Sequence, residues 1–179
     1  MILQKKSFDE CYKPAEDTFF LADCIQNEKG HAALDVGTGS GFLAQILSDN
    51  FELVVATDTS LDALKKARKT VKNCICCNSA DALQCSFDLV VCNLPYLPSD
   101  KVVDSAVDGL EEGLGIPTGM IKSASRVIQR HGRLVFLTSS LANYNELIRR
   151  TKSLGFDAKI SAKKKLFFEE LIIVECTKL

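Results

Sequence analysis

The sequence predicts an α/β fold, with a doubly wound, mostly parallel sheet of about seven strands that ends in an antiparallel C-terminal hairpin. Three observations predict it. Short apolar runs alternate with segments of helical period along the whole chain. A glycine-rich turn, Asp35-Val-Gly37-Thr-Gly39-Ser-Gly41, joins the first of these runs to the helical segment after it. The last two runs, at 156–162 and 168–177, are joined by a short basic turn, as antiparallel neighbours are.

Each element can be read in order. Residues 16–27 (EDTFFLADCIQN) read as a helix, and the 15 residues before it as an irregular N-terminal arm. AALDV at 32–36 is a short strand leading into the glycine turn, after which 42–49 continue as a helix. ELVVAT at 52–57 is the second strand, and SLDALKKARKTV at 60–71 is an amphipathic helix with Ser60 as its N-cap. CICC at 74–77 is the third strand. FDLVVCN at 87–93 is the fourth, near-continuously apolar, as a strand covered on both faces must be. Residues 94–115 carry Pro, Gly and acidic residues and read as a long loop, of the kind compact domains keep for function. A helix at about 117–129 has Pro117 near its first turn, where a missing N–H costs nothing. RLVFLTS at 133–139 is the fifth strand, 143–154 a helix, and the hairpin completes the chain.

The 179 residues suit a single domain spanning 1–179. Lys plus Arg is 22 and Asp plus Glu is 23, a net charge of -1, which argues against a domain built to grip nucleic acid. Lys163, Lys164 and Lys165 nevertheless form a local basic patch. No apolar stretch approaches the ~20 residues of a membrane span, and the first residues lack a signal peptide's apolar run, so a cytoplasmic protein is expected. In a reducing compartment its eight cysteines stay as thiols. Cys74 and Cys77 have CxxC spacing, but no second pair completes a zinc site, and no metal is expected. VKNCICC reads instead as a buried strand in which cysteine serves as a small hydrophobe.

Two motifs carry chemistry. In the glycine turn, Gly37, Gly39 and Gly41 allow a tight bend and close approach of a ligand to the backbone. The spacing is GxGxG, and Phe42 stands where a dinucleotide fingerprint wants glycine. Asp58 closes the next strand, where an acid can accept the ribose hydroxyls of an adenosyl ligand or cap the following helix. Asp81, before Ala82, is placed to reach an adenine amino group. The second motif is Asn93-Leu94-Pro95-Tyr96 at the end of the fourth strand, the end beyond which ligands bind in open α/β sheets. Asn93 offers a side-chain oxygen. Leu94 is held extended by the following proline, and Pro95 has no N–H to claim its carbonyl. Two adjacent acceptors beside the flat face of Tyr96 suit an NH2 group on a planar carbon.

These motifs, in this order, resemble the class I methyltransferases with an (N/D)PP(Y/F) motif. Tyr12-Lys-Pro14-Ala-Glu16-Asp17-Thr18 resembles the Y-x-P-x-E-D-T signature of the HemK/PrmC family. The match is to its short archaeal and eukaryotic branch, which lacks the N-terminal helical domain of the bacterial branch. The resemblance implies a Rossmann-like fold, S-adenosylmethionine as cofactor, and the GGQ glutamine of a class I peptide release factor as methyl acceptor. By the same resemblance Thr18, Asp35, Gly37, Asp58, Asp81 and Ala82 contact the cofactor, while Asn93 and the Leu94 carbonyl hold the substrate amide beside Tyr96. Asp108-Gly109, with Gly113 and Gly115, loosely resembles the family's acidic glycine-rich loop. Relatives in this branch work with a small zinc-binding activator that pairs with the third strand's edge. Leu94 departs from the family's usual proline: it keeps the carbonyl and gives up rigidity. The tetrapeptide also occurs in enzymes that methylate adenine amino groups, so an adenine acceptor on RNA or DNA is the alternative function. His31 and His131 each precede a strand and read as turn residues.

Overall fold

The computed structural model describes residues 13–97 and 114–179. The elements are α1 (Glu16–Ile25), β1 (Gly30–Val36), α2 (Phe42–Leu47), β2 (Phe51–Asp58), α3 (Leu61–Ala67), β3 (Asn73–Cys76), β4 (Phe87–Asn93), α4 (Gly115–Ser125), β5 (Ile128–Ser139), α5 (Tyr144–Ser153), β6 (Phe156–Lys165) and β7 (Glu170–Lys178). The strands form one seven-stranded sheet in the order β3-β2-β1-β4-β5-β7-β6. Pairings from β3 through to β5 are parallel, and β7 runs antiparallel to both β5 and β6. The predicted architecture and its C-terminal hairpin are both present.

Alternation along the central strands explains the two-sided core. Leu34, Val36, Val90 and Cys92 pack on one face with Ile121 and Ala124 of α4 and Leu147 of α5. Ala33, Leu89 and Val91 pack on the other with Leu21 and Ile25 of α1 and Leu43 and Leu47 of α2. β4 is buried on both faces, as its unbroken apolar run requires. Ser60 caps α3, its side chain accepting from the Ala63 N–H at 3.2 Å.

Four readings need correction. β3 is not a buried strand: it pairs with β2 alone, and its residues are half-exposed or exposed, because it forms the sheet's outer edge. The three lysines do not form the last turn. They complete β6, and the turn is residues 166–169, Leu-Phe-Phe-Glu. His31 lies within β1, and His131 lies within β5, with φ +63. The helices end one to four residues early, where the last turns pass into irregular bends. Tyr12, Asp108, Gly109, Gly113 and most of the loop over 94–115 lie outside the described residues, while Gly115 opens α4.

Candidate active site

Two turns leave the sheet side by side. Val36 at the end of β1 is in register with Thr57 on β2 and with Cys92 on β4. Gly37 and Asn93 are therefore the next residues on neighbouring parallel strands, about 5 Å apart across the ladder. The glycine turn and the Asn-Leu-Pro-Tyr corner share one rim.

The glycine turn is held by backbone bonds. The N–H groups of Gly37 and Thr38 both donate to the Thr57 carbonyl at 2.9 Å, and that of Gly41 to the Thr38 carbonyl at 2.9 Å. Gly37, Gly39 and Gly41 have φ of +73, +55 and +86, the left-handed region that favours glycine. Their reasons differ. A Cβ at Gly41 would stand 2.9 Å from Cα and Cβ of Ala67, so Gly41 lets α3 pack on the turn. A Cβ at Gly39 would meet nothing within 4 Å, so packing within the described residues does not demand a glycine there.

The acids around the turn are partly engaged. Asp58 Oδ2 accepts from the Gly39 N–H at 2.9 Å and Oδ1 from the Ser60 N–H at 2.8 Å, so this residue both pins the turn and starts the α3 segment. Each oxygen keeps a lone pair for a further donor. Asp35 is buried. Its Oδ2 accepts from the Thr38 hydroxyl at 2.6 Å and the Ala44 N–H at 3.1 Å, while Oδ1 has no hydrogen-bond partner among the described residues. Burial pushes its carboxyl up to about 6, against the downward pull of those two bonds. Asp81 Oδ1 accepts from the Ser123 hydroxyl and the Arg126 guanidinium, and Oδ2 accepts from Asn78 at 3.3 Å. Those donors, Ser123 first, hold its carboxyl below the usual range. Ala82 beside it is exposed.

The corner after β4 is built from side chains. Asn93 Nδ2 donates to Asp17 Oδ2 at 3.3 Å and Thr18 Oγ1 at 3.4 Å, both on the first turn of α1. Those acceptors orient the amide and leave Asn93 Oδ1 buried without a hydrogen-bond partner among the described residues. Leu94 is 1% exposed, and its N–H donates to the Leu137 carbonyl at 3.3 Å. A proline could not make that bond, so burial and the ladder supply the rigidity that the missing ring would have given. Pro95 is buried, and half-buried Tyr96 packs at the edge of the α1 face of the core.

Sequence reasoning missed three contributors. Asp17 orients Asn93, although Thr18 had been assigned to the cofactor alone. Ser123 and Arg126 fasten Asp81 from α4. Only the E-D-T run hinted at the first, and nothing local hints at the other two, which lie over 40 residues from Asp81. Among the described residues no group of three or more His, Cys, Asp or Glu is placed to hold a metal ion.

The arrangement fits an adenosyl amino acid. A left-handed glycine turn offers backbone, Asp58 offers a carboxylate at the end of β2, and the orphaned Asp35 Oδ1 is a buried acceptor suited to a cation. The sequence profile of the methyltransferase small domain matches residues 13–166. A Methanocaldococcus jannaschii chain named as a protein N5-glutamine methyltransferase is 30% identical, over 99% of this chain and 96% of its own length. Methyltransferase HEMK2 of Homo sapiens is 24% identical, over 96% and 92%. The structure of the E. cuniculi Mtq2–Trm112 complex, responsible for methylation of the eRF1 translation termination factor, matches with a TM-score of 0.81 at 26% identity, covering 94% of this chain and 98% of that one. This chain belongs to the methyltransferase small domain family and is a Rossmann-like, S-adenosylmethionine-dependent methyltransferase.

Proposed function

We propose that the enzyme methylates the side-chain amide nitrogen of the GGQ glutamine in a class I peptide release factor. One observation carries the reading: Asn93 is anchored through its NH2 by Asp17 and Thr18 and keeps Oδ1 as a buried, unpartnered acceptor beside the cofactor turn. An orphaned buried acceptor costs free energy, and a substrate N–H removes that cost. The name of the M. jannaschii relative supports a protein glutamine as acceptor, and that of the E. cuniculi complex supports a termination factor as the protein that carries it.

When bound, S-adenosylmethionine supplies an electrophilic methyl group carried on a sulfonium. This chain's residues act on the acceptor nitrogen. Asn93 Oδ1 and the Leu94 carbonyl accept its two N–H bonds and thereby stabilise the positive charge that develops on it. They also fix its position, which replaces a random encounter by an oriented one. Tyr96 lies against the planar amide. Asp58 and Asp81 hold the ribose and adenine, and Asp35 the cation.

The remaining parts of the reading concern setting. Residues 1–179 act as one methyltransferase domain, and a release factor as substrate places them in the cytoplasm; no helix among the described residues is long and apolar enough to cross a membrane. A small zinc-binding activator pairs with β3, whose edge is open and carries no charged side chain. The E. cuniculi relative is solved with Trm112.

The test is transfer of labelled methyl from S-adenosylmethionine to a class I release factor, and to the same factor with its GGQ glutamine replaced by alanine. Label on the first and not the second is expected. Label on RNA or DNA instead overturns the reading in favour of an adenine amino acceptor.

A further inference from the structure

The β6–β7 turn carries the most exposed large hydrophobics among the described residues. Phe167 is 92% exposed and Phe168 86%, with their rings edge to face at 4.6 Å. Neither belongs to the core, whereas Leu166 beside them packs at its edge. Two adjacent phenylalanines in water gain nothing for folding. The lysines before them have a partial explanation in the fold: β6 is the sheet's outer edge, and charges together with its bulge between Ile160 and Ala162 blunt an edge against strand addition. That account does not reach the phenylalanines. Nor does internal pairing absorb the charge. Lys163 bonds Glu170 at 2.7 Å, but among the described residues Lys164 and Lys165 have no ion-pair partner.

The register locates this tip. Asn93 is in register with Leu137, Leu137 with Ile173, and Ile173 with Ala162. β6 runs parallel to β4, so both end at the same rim. Three strand steps separate Asn93 from Ala162, and Phe167 lies five residues beyond, which places it about 20 Å from Asn93. The tip is also held in place. The Leu166 N–H donates to the Glu169 carbonyl at 2.8 Å, the Ser139 hydroxyl donates to Glu169, and the N–H of Glu170 and the Ser140 hydroxyl oxygen meet at 2.9 Å.

We infer that the Phe167–Phe168 tip, with Lys164 and Lys165, is a docking element for the methyl-acceptor protein, gripping its folded body away from the reactive loop. The inference rests on the protein-glutamine reading above. The occupant is a protein that presents an apolar recess rimmed by acidic groups on the side of its acceptor loop. The tip shares a rim with the corner beside Asn93, so the body of a protein whose loop enters that corner comes within reach of it, and a pre-ordered pair of aromatics is what concentrates binding energy at interfaces.

The experiment compares wild type, F167A/F168A and K164A/K165A, none of which alters a buried residue. Substrates are an intact class I release factor and a seven-residue peptide centred on the GGQ glutamine, which reaches only about 10 Å on either side. KM for the intact factor should rise about tenfold or more in F167A/F168A and less in K164A/K165A. The kcat, the cofactor affinity and kcat/KM for the peptide should stay within about twofold of wild type. An unchanged KM for the intact factor overturns the inference, as does an equal loss on peptide and factor. Co-sedimentation of wild type, but not F167A/F168A, with phosphatidylserine vesicles at unchanged KM overturns it in favour of a membrane contact. If wild type, assayed together with a small zinc-binding activator, transfers no label to the factor, the glutamine reading fails, and the docking inference fails with it.

Discussion

The glycine turn after β1 and the Asn93 corner after β4 leave adjacent parallel strands at one level, yet they are made of different material. The first is made mainly of backbone: three left-handed glycines, of which Gly37 and Gly41 donate to the Thr57 and Thr38 carbonyls, with the Asp58 carboxylate taking the Gly39 N–H. The second is made of side chains: an amide on β4 oriented by a carboxylate and a hydroxyl on α1, 76 and 75 residues away in sequence. A backbone turn tolerates many ligands of similar shape and is damaged by adding bulk. A side-chain corner is chemically selective and is damaged by removing one atom group.

Deleting the corner's acceptor should have the largest effect. N93A should lower kcat by about a thousandfold or more, on the scale of losing a preorganised hydrogen-bonding group at the reacting centre. Cofactor affinity measured by calorimetry should move little. Turnover close to wild type would remove the distinction between the two turns.

Bulk added to the glycine turn should separate its two roles. G41A combines a left-handed φ with a Cβ 2.9 Å from Ala67, and should cost about 2–4 kcal/mol of stability in denaturant unfolding. G39A meets no neighbour, so it should cost only about 1 kcal/mol while weakening cofactor binding about tenfold. Equal stability losses with unchanged cofactor affinity would show that Gly39 serves the turn alone.

Asp35 provides a pH test of the cofactor side. Its native carboxyl, pushed up to about 6, binds a proton more tightly than in the unfolded chain, where the value is near 4. Its contribution to stability is therefore fully present below about pH 4 and is lost as pH rises through about 6. A cationic ligand favours the ionised form, so cofactor affinity should fall as pH drops below about 6. D35N should flatten both dependences. A D35N protein with the wild-type pH profile would assign them to other groups.

The smallest effect is expected at Leu94. L94P restores the family's usual residue but forfeits the hydrogen bond to Leu137, which should lower stability by about 1 kcal/mol. Turnover should stay within about threefold, because the residue 94 carbonyl remains. A large loss of turnover would mean that the corner's backbone position depends on the bond to β5.

Elements dominated by local pattern were legible from the chain alone. β4 appeared with its boundaries intact because a strand buried on both faces is apolar throughout. Ser60 as an N-cap and the glycine turn were equally plain, because capping and left-handed φ are properties of a few adjacent residues. β3 was misjudged because CICC looks the same in the middle of a sheet as at its edge. Only the position beside β2, with no strand beyond it among the described residues, exposes it. The lysines of β6 were placed in a turn for a similar reason: charge suggests a loop, but an edge strand accepts it.

The order of elements, the left-handed glycine turn, the Asn-Leu-Pro-Tyr corner and the family resemblance were all determined by the sequence itself, because each depends on contiguous residues and their backbone requirements. The tertiary structure decided which atom of Asn93 is spent on anchoring, what fastens Asp81, and that the hairpin's phenylalanines stand at the same rim of the sheet as Asn93. Those outcomes depend on segments brought together across tens of residues, and no local pattern encodes which side chains will meet.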